Sequence, residues 1–469
     1  MSTQAQPQVK PSLPQLLPVF QELLPVPVVQ GLVQASGKRF YERLLTPLLL
    51  VWCFIFQRLN HDHTCDAVVS YLGSGAVDHF ADRHQQPLSQ RMQSESTAAY
   101  CQGRQRLPLA VLQGALRHTA QTIQQWLGDE GLWLGHLVGL LDGSTFLLRP
   151  EPELVQHYGR HKARGQDTYW VVIRVVVAFC LCTGALLGVV EGSLHLSEQA
   201  LAALLFAQAV LGSVYVGDSN FGVFSVVQAA RHHGLWVVLR LTRPRAKALA
   251  GGRMRCGEDR QIAWTPSPHD QLHPGMSAEP IVGRLIFLRL ERPGFRPVDL
   301  YLFTTLLDAQ RYTVEELVHL YGLRWHVELD LRYVKDTLEM DLLTSKSVDM
   351  VRKELQGSML AYNVIRGYMV QAARRAGLSP LALSFTSCWR RVRDVLVTWR
   401  LSQSVQKIAQ KIESLLARLA RCLLPKRPPD RVEPRAVHRR PNVYPNLKGS
   451  RAEARQQALA ARQQKPVKS

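Results

Sequence analysis

The chain has 469 residues, 46% hydrophobic and 20% charged, which excludes a disordered or low-complexity protein and is enough for about two to four domains. Fifty-seven Lys and Arg against 37 Asp and Glu give a formal net charge of +20 and a pI near 9.9. The expected partner is therefore a polyanion, and cations spread along the whole chain favour nucleic acid over a membrane. Eight scattered cysteines include no Cys-x-x-Cys pair, so neither a zinc ribbon nor a dithiol redox motif is indicated. Free thiols in a reducing cytoplasm are the simplest account.

Residues 1–130 read as helical. Pro18, Pro25 and Pro27 break the apolar run Leu13 to Val33 into short helices, whereas Arg39 to Leu59 predicts a longer one. His61, His63 and Cys65, with Cys53 upstream, cluster at spacings that fit no standard zinc pattern. Arg91, Arg104 and Arg106 lie among Ser, Thr and Gln, ahead of the amphipathic stretch LAVLQGALRHTAQTIQQWL. Those side chains suit phosphates and base edges, so this region is either a helix-turn-helix-like DNA reader or a helical cap on the core.

From Gly131 the hydrophobic period changes. One strand runs into Asp142, and a Val-rich hairpin spans Thr168–Cys182 and Ala185–Ser193. The run Trp170 to Val190 is long enough for a membrane span, but Arg174, Thr183 and Gly184 make two buried strands around a turn the better reading. A helix opens at Ser197-Glu198, a strand ends at Asp218, a helix covers Gly222 to His232, and a strand follows over Leu235 to Leu241. This order suits a mixed sheet covered by helices. Arg243 to Asp308 is rich in Pro, Gly and Arg, contains Trp264 as its one Trp, and ends in two strand-like runs that predict a hairpin.

The stretch Thr313 to Met340 organises the rest. At about 100° per residue, Leu323, Val327, Leu331, Val334 and Leu338 form an apolar stripe. Tyr321, Arg324, Glu328, Arg332 and Lys335 share a narrow face beside it. The plain reading is an amphipathic helix with an Arg324–Glu328 pair. The sharper one is a metal-binding carboxylate flanked by phosphate-seeking cations, which needs carboxylate partners elsewhere; Asp142 and Asp218, both at predicted strand ends, supply them. Three further helices follow, over Met350–Ala376, Leu381–Trp399 and Ser404–Leu424, and then a basic tail from Pro425 suited to non-specific phosphate contact.

Tyr321, Arg324, Glu328 and Lys335 spell Y-(2)-R-(3)-E-(6)-K. With Asp142 in LLDGST and Asp218 in VGDSNFG, this resembles the signature of the DDE transposases of bacterial insertion sequences, in the insertion-sequence-four family. The resemblance covers about Gly131 to Tyr362 and is weaker elsewhere. It implies an α/β fold: a ribonuclease-H-like core with a mixed sheet, a β-rich insertion, and helical N- and C-terminal regions. The implied boundaries are a DNA-binding region at 1–130, core at 131–242, insertion at 243–308, core with the glutamate helix at 309–400, and a helix with basic tail at 401–469. Asp142, Asp218 and Glu328 are then catalytic and hold two Mg²⁺ ions, with Mn²⁺ able to substitute. Tyr321, Arg324, Lys335 and Arg332 contact DNA, and Trp264 stacks on a flipped base. The implied reaction frees a 3′-OH at each transposon end and joins it to target DNA, in a synaptic homodimer on double-stranded DNA. The implied location is the bacterial cytoplasm, at the nucleoid, with no membrane. Two other readings stay open: a ribonuclease-H-like nuclease that cuts without joining, and a non-enzymatic DNA-binding protein derived from a transposase.

Overall fold

The prolines of the N-terminal region start helices rather than end them. Pro18 and Pro47 open α1 (Pro18–Leu23) and α3 (Pro47–Leu59), and Pro25 precedes α2 (Val26–Ala35). A first-turn residue has no intrahelical partner for its N–H, so proline costs nothing there. The helix expected from Arg39 therefore begins only at Pro47, with Thr46 Oγ1 accepting from the Leu49 N–H at 3.3 Å. Helix α3 is apolar nearly all round and buried nearly all round. Helices α4 (Cys65–Gly73), α5 (Ala98–Arg106) and α6 (Leu109–Leu127) complete this layer. Helix α6 buries Val111, Leu112, Ala115, Leu116 and Ile123, as a cap on the core does.

The computed structural model describes residues 17–40, 44–80, 86–163, 166–268, 270–272, 275–291, 297–398, 405–425 and short runs within 452–460. By compactness the chain divides into two units, Met1–Arg289 with Asp299–Lys426, and Leu290–Val298 with Arg427–Ser469. The basic tail belongs to the second and lies largely outside the described residues.

Strand β1 (Val138–Leu148) and helix α7 (Pro152–Tyr158) lead to β2 (Val171–Cys180) and β3 (Leu186–Ser193), so the long apolar run is a hairpin. Helix α8 (Glu198–Phe206), β4 (Val214–Gly217), α9 (Phe224–His232) and β5 (Trp236–Arg240) follow. Strand β2 is antiparallel to β1 and β3, whereas β4 is parallel to β1 and β5 to β4. Alternate residues face different cores. Leu140, Val175, Val177 and Phe179 join one cluster; Leu141, Val176 and Ala178 join the other. A sheet covered on both faces explains the unbroken Val runs.

The segment at 243–308 does not stand apart. After α10 (Arg243–Leu249) come β6 (Glu258–Trp264), β7 (Ile281–Leu290) and β8 (Val298–Thr304), and β8 pairs antiparallel with β5. The expected hairpin is present, but with β6 it extends the main sheet to the order β3-β2-β1-β4-β5-β8-β7-β6. Helices α11 (Val314–Gly322) and α12 (Trp325–Arg332) come next, then β9 (Leu342–Leu343), which pairs with the end of β1.

Helix α13 (Val348–Arg375) runs between the N-terminal helices and the sheet and is buried along most of its length. Asn363 docks it on β3, accepting from the Leu186 N–H at 2.8 Å and donating to Leu186 O at 3.0 Å. On its other side, Gly357 lets Phe54 of α3 approach; a Cβ there would stand 2.9 Å from that side chain. The N-terminal helices thus share one core with the sheet. Helices α14 (Phe385–Thr398) and α15 (Val405–Ala420) pack on α13. No helix among the described residues is long and apolar enough to cross a membrane.

Candidate active site

Parallel pairing brings the two aspartates level. Leu140 of β1 pairs with Val216 of β4, so two residues further Asp142 stands level with Asp218. Strand β4 ends at Gly217, and Asp218 turns the chain; its Oδ1 accepts from the Asn220 N–H at 2.9 Å. Asp142 was expected at a strand end, yet β1 continues past it to Leu148, held by β2. Asp142 Oδ1 accepts from its neighbour's amide, Gly143 N–H, at 2.9 Å.

Burial pushes the Asp142 carboxyl from 3.8 up to about 6. The Gly143 N–H and Arg324 oppose that shift, while the charges of Asp218 and Glu328 add to it. Carboxylates from three distant chain segments therefore act on one another here. They do not converge on one point: among the described residues no three His, Cys, Asp or Glu are grouped so as to hold an ion.

A fourth carboxylate stands beside them, Glu198. Ser197 Oγ accepts from the Ala200 N–H and caps α8, which fixes Glu198 in its first turn. Its carboxyl lies over Gly143, where a Cβ would come within 2.2 Å of Glu198 Cδ, so a larger residue there would displace the Glu198 carboxyl. Glu198 accepts from Asn220 Nδ2, and Gln199 Nε2 donates to Asn220 O at 2.7 Å and Oδ1 at 2.8 Å. The start of α8 thereby holds the Asp218 turn against β1. The sequence marks Glu198 only as a helix start; its contact with a glycine 55 residues away leaves no local pattern.

The organising stretch is not one continuous helix. Helix α11 ends at Gly322, and the bonds Arg324 N–H to Tyr321 O and Val327 N–H to Arg324 O tighten the chain before α12. Beyond α12 the turn widens into a π-helix over Tyr333–Thr337, with Leu338 N–H donating to Tyr333 O at 3.0 Å. The apolar stripe still meets the core: Val327, Leu331, Val334 and Leu338 are buried, and Leu323 packs against them. Arg324 Nη2 donates to Glu328 Oε1 at 2.7 Å, and the Glu328 side chain is 56% exposed. Burial penalises the Arg324 guanidinium, but the Glu328 hydrogen bond and the charges of Tyr321, Glu328 and Asp142 hold its pKa above the usual value. Lys335 Nζ, carried by the wide turn, donates to Thr145 O at 3.0 Å, just beyond Asp142 on β1.

Helix α12 is anchored from behind by Asp330, which pairs with Arg366 of α13. Burial raises the Asp330 carboxyl to about 6 against the pull of Arg366. Arg366 also lies near the rings of Phe385, Tyr362 and Tyr333.

Other expectations meet different surroundings. Arg332 is exposed. Trp264, expected to stack on a base, is 4% exposed, with Phe303 4.8 Å and Phe224 6.2 Å from its ring centre. This corrects the expectation: the end of β6 turns that side chain into the core, where a nucleobase has no entry. The exposed tryptophan beside Glu328 is Trp325, which is 43% exposed and stacked on His326.

Carboxylates from three segments thus lie within electrostatic reach of one another, with Arg324 and Lys335 beside them, and comparisons with known proteins give the class. The transposase DDE domain family matches residues 133–364. Transposase InsG for insertion sequence element IS4, from Escherichia coli (strain K12), is 26% identical over 423 residues, covering 88% of this chain and 90% of that protein. A cryo-EM structure of the piggyBac transposase synaptic complex with hairpin DNA covers 90% of this chain and 89% of its own at 10% identity; the TM-score of 0.37 is too low to establish a common fold. The chain belongs to the DDE transposases of bacterial insertion sequences, in the insertion-sequence-four family.

Proposed function

We propose that this transposase moves its element by cut-and-paste transposition, with Asp142, Asp218 and Glu328 as the catalytic carboxylates. The observation that carries this reading is the mutual action of those three charges at one sheet edge, with Arg324 among them. The order β3-β2-β1-β4-β5, with only β2 antiparallel to its neighbours, supports a ribonuclease-H-like core for residues 131–242 and 309–400. Residues 1–130 then serve as a helical DNA-binding layer, and the proposed working form is a homodimer that joins two transposon ends.

The donor set suits Mg²⁺ or Mn²⁺: hard carboxylate oxygens, mutually repelling, with one side chain already ion-paired. Magnesium uses one or two carboxylates and fills its remaining positions with water and phosphate oxygens, so an open arrangement of Asp142, Asp218 and Glu328 fits two such ions. When bound, they supply charge relief at phosphorus and activate the attacking oxygen. The side chains do the rest. Glu198 and Asn220 keep Asp218 level with Asp142. Tyr321, Arg324 and Lys335 receive phosphate oxygens near the cleaved bond, and a phosphate on Arg324 frees Glu328 from its ion pair. Water attacks the phosphodiester at the element's end and expels the 3′ oxygen as a 3′-OH. That hydroxyl then attacks a target phosphodiester, so one bond forms as another breaks and no nucleotide cofactor is consumed.

The test is incubation of the purified protein with end-labelled inverted-repeat DNA, a target plasmid and Mg²⁺. Asp142→Ala, Asp218→Ala and Glu328→Ala should each abolish nicking and joining while keeping specific end binding. Wild-type-like cleavage by any one removes that residue from the site, and nicking without plasmid joining reduces the enzyme to a nuclease.

A further inference from the structure

A cavity of about 530 Å³ lies away from the carboxylates, between the N-terminal helices and the segment that follows β9. Its floor is rigid. Arg58 of α3 pairs with Glu354 of α13 at 3.2 Å, and Glu354 also accepts from the Thr344 N–H at 3.1 Å and the Ser345 N–H at 2.9 Å. Those two charges cancel. Three cations on the lining remain, Arg104, Arg149 and Lys346, and none forms an ion pair among the described residues. Arg104 lies near the rings of Phe54 and Tyr100, its Nη1 donates to Cys65 Sγ at 3.0 Å, and its buried Nε has no partner. A buried cation with an unused donor is costly unless an anion reaches it. Arg149 and Lys346 stand exposed at the rim.

We propose that this cavity is a phosphate subsite for the duplex of the transposon end, well inside the point of cleavage. The inference rests on the transposase reading above and adds a position to it. Arg149 follows the last residue of β1, seven residues beyond Asp142. At about 3.3 Å per residue that is roughly 23 Å. A duplex rises about 3.4 Å per base pair along its axis, so along one face of the DNA the cavity lies about seven base pairs from the cleaved bond. Lys335, at Thr145 on the same strand, lies between the two points. Lys335 and Arg149, spaced along that length, suit one face of a duplex, whereas a free phosphate would need only the cavity.

The double variant Arg149→Ala/Lys346→Ala changes two exposed side chains in the full-length protein, and its urea midpoint checks that it folds. Phosphate-ethylation interference on end DNA should show, for the wild type, a contact about seven base pairs inside the cleavage point. The double variant should lose it, and its slope of log affinity against log salt should fall by about 0.9, the value for one lost phosphate contact. Asp142→Ala should keep the contact while losing cleavage. An unchanged interference pattern and slope in the double variant overturn the subsite. Loss of inorganic phosphate binding with the DNA contact retained also overturns it, in favour of a free anion. Undiminished cleavage by Asp142→Ala would instead bring down the catalytic reading and leave the subsite standing.

Discussion

Replacing Asp142 with Asn should stabilise the fold and end catalysis together. Burial and the charges of Asp218 and Glu328 raise the carboxyl from 3.8 to about 6, so ionising it strains the folded state. A shift of about two units at 1.36 kcal/mol each, reduced slightly for partial exposure, corresponds to about 2–3 kcal/mol. The folded pKa lies above the unfolded one, so the fold holds this proton more tightly. The destabilisation is therefore absent below about pH 4, grows between pH 4 and 6, and is complete above that window. Asn matches the shape of Asp without the charge. Unfolding entropy scaled to a chain of this size gives roughly 1 °C per kcal/mol, so without divalent cation Asp142→Asn should melt about 2–3 °C above wild type at pH 8. The two should coincide near pH 4. Saturating Mg²⁺ should stabilise the wild type alone and narrow or invert the gap. Calorimetry from pH 4 to 8, with and without Mg²⁺, measures this. A variant no more stable than wild type at pH 8 without cation would show that Asp142 carries no such strain.

Other outcomes follow from the contacts around the site. Gly143→Ala forces a Cβ into Glu198, and Glu198→Ala releases Asn220; each should slow single-turnover nicking by roughly tenfold to a hundredfold, about 1.4–2.7 kcal/mol in the barrier, while end binding stays near wild type. Asp330→Ala strands Arg366 as a buried unpaired charge and should cost about 3–5 kcal/mol by urea denaturation. Trp264→Ala should also cost about 3–5 kcal/mol, as a core cavity does, and slow all steps alike. Trp325→Ala should leave stability within about 0.5 kcal/mol and weaken only steps that need an aromatic surface near Glu328, read on a gel that separates nicked from hairpin product.

What could be read in advance follows from the range of each interaction. The β2–β3 hairpin and the helices after residue 348 carry their signal in their own residues, as Val runs and apolar periodicity. The two aspartates could be found because each sits in a short motif and strand pairing sets them level. The helix break at Leu323 and the π-turn at Tyr333–Thr337 could not, because the apolar stripe keeps its spacing through both. Trp264 was misjudged for a related reason: the resemblance points to a tryptophan in the insertion and the sequence offers one there, but its burial depends on β6 joining the sheet beside Phe303. Glu198 lay beyond reach because Gly143 and Asn220 meet it only in the folded chain.

The placement of α13 sets a timetable for synthesis. Helix α3 is complete by residue 59, yet the helix it packs against is not made until residue 375. At about 5–20 residues per second, the ribosome needs roughly 15–60 s to cover that interval. Throughout it, a helix apolar on nearly every side has only its N-terminal neighbours to pack on and lacks the long helix that covers it, so nascent chains should depend on a holding chaperone. A product truncated before residue 348 would also lack the helix that carries Arg366, the support behind Glu328. An incomplete transposase should therefore be insoluble before it could be a hazard to the genome that encodes it.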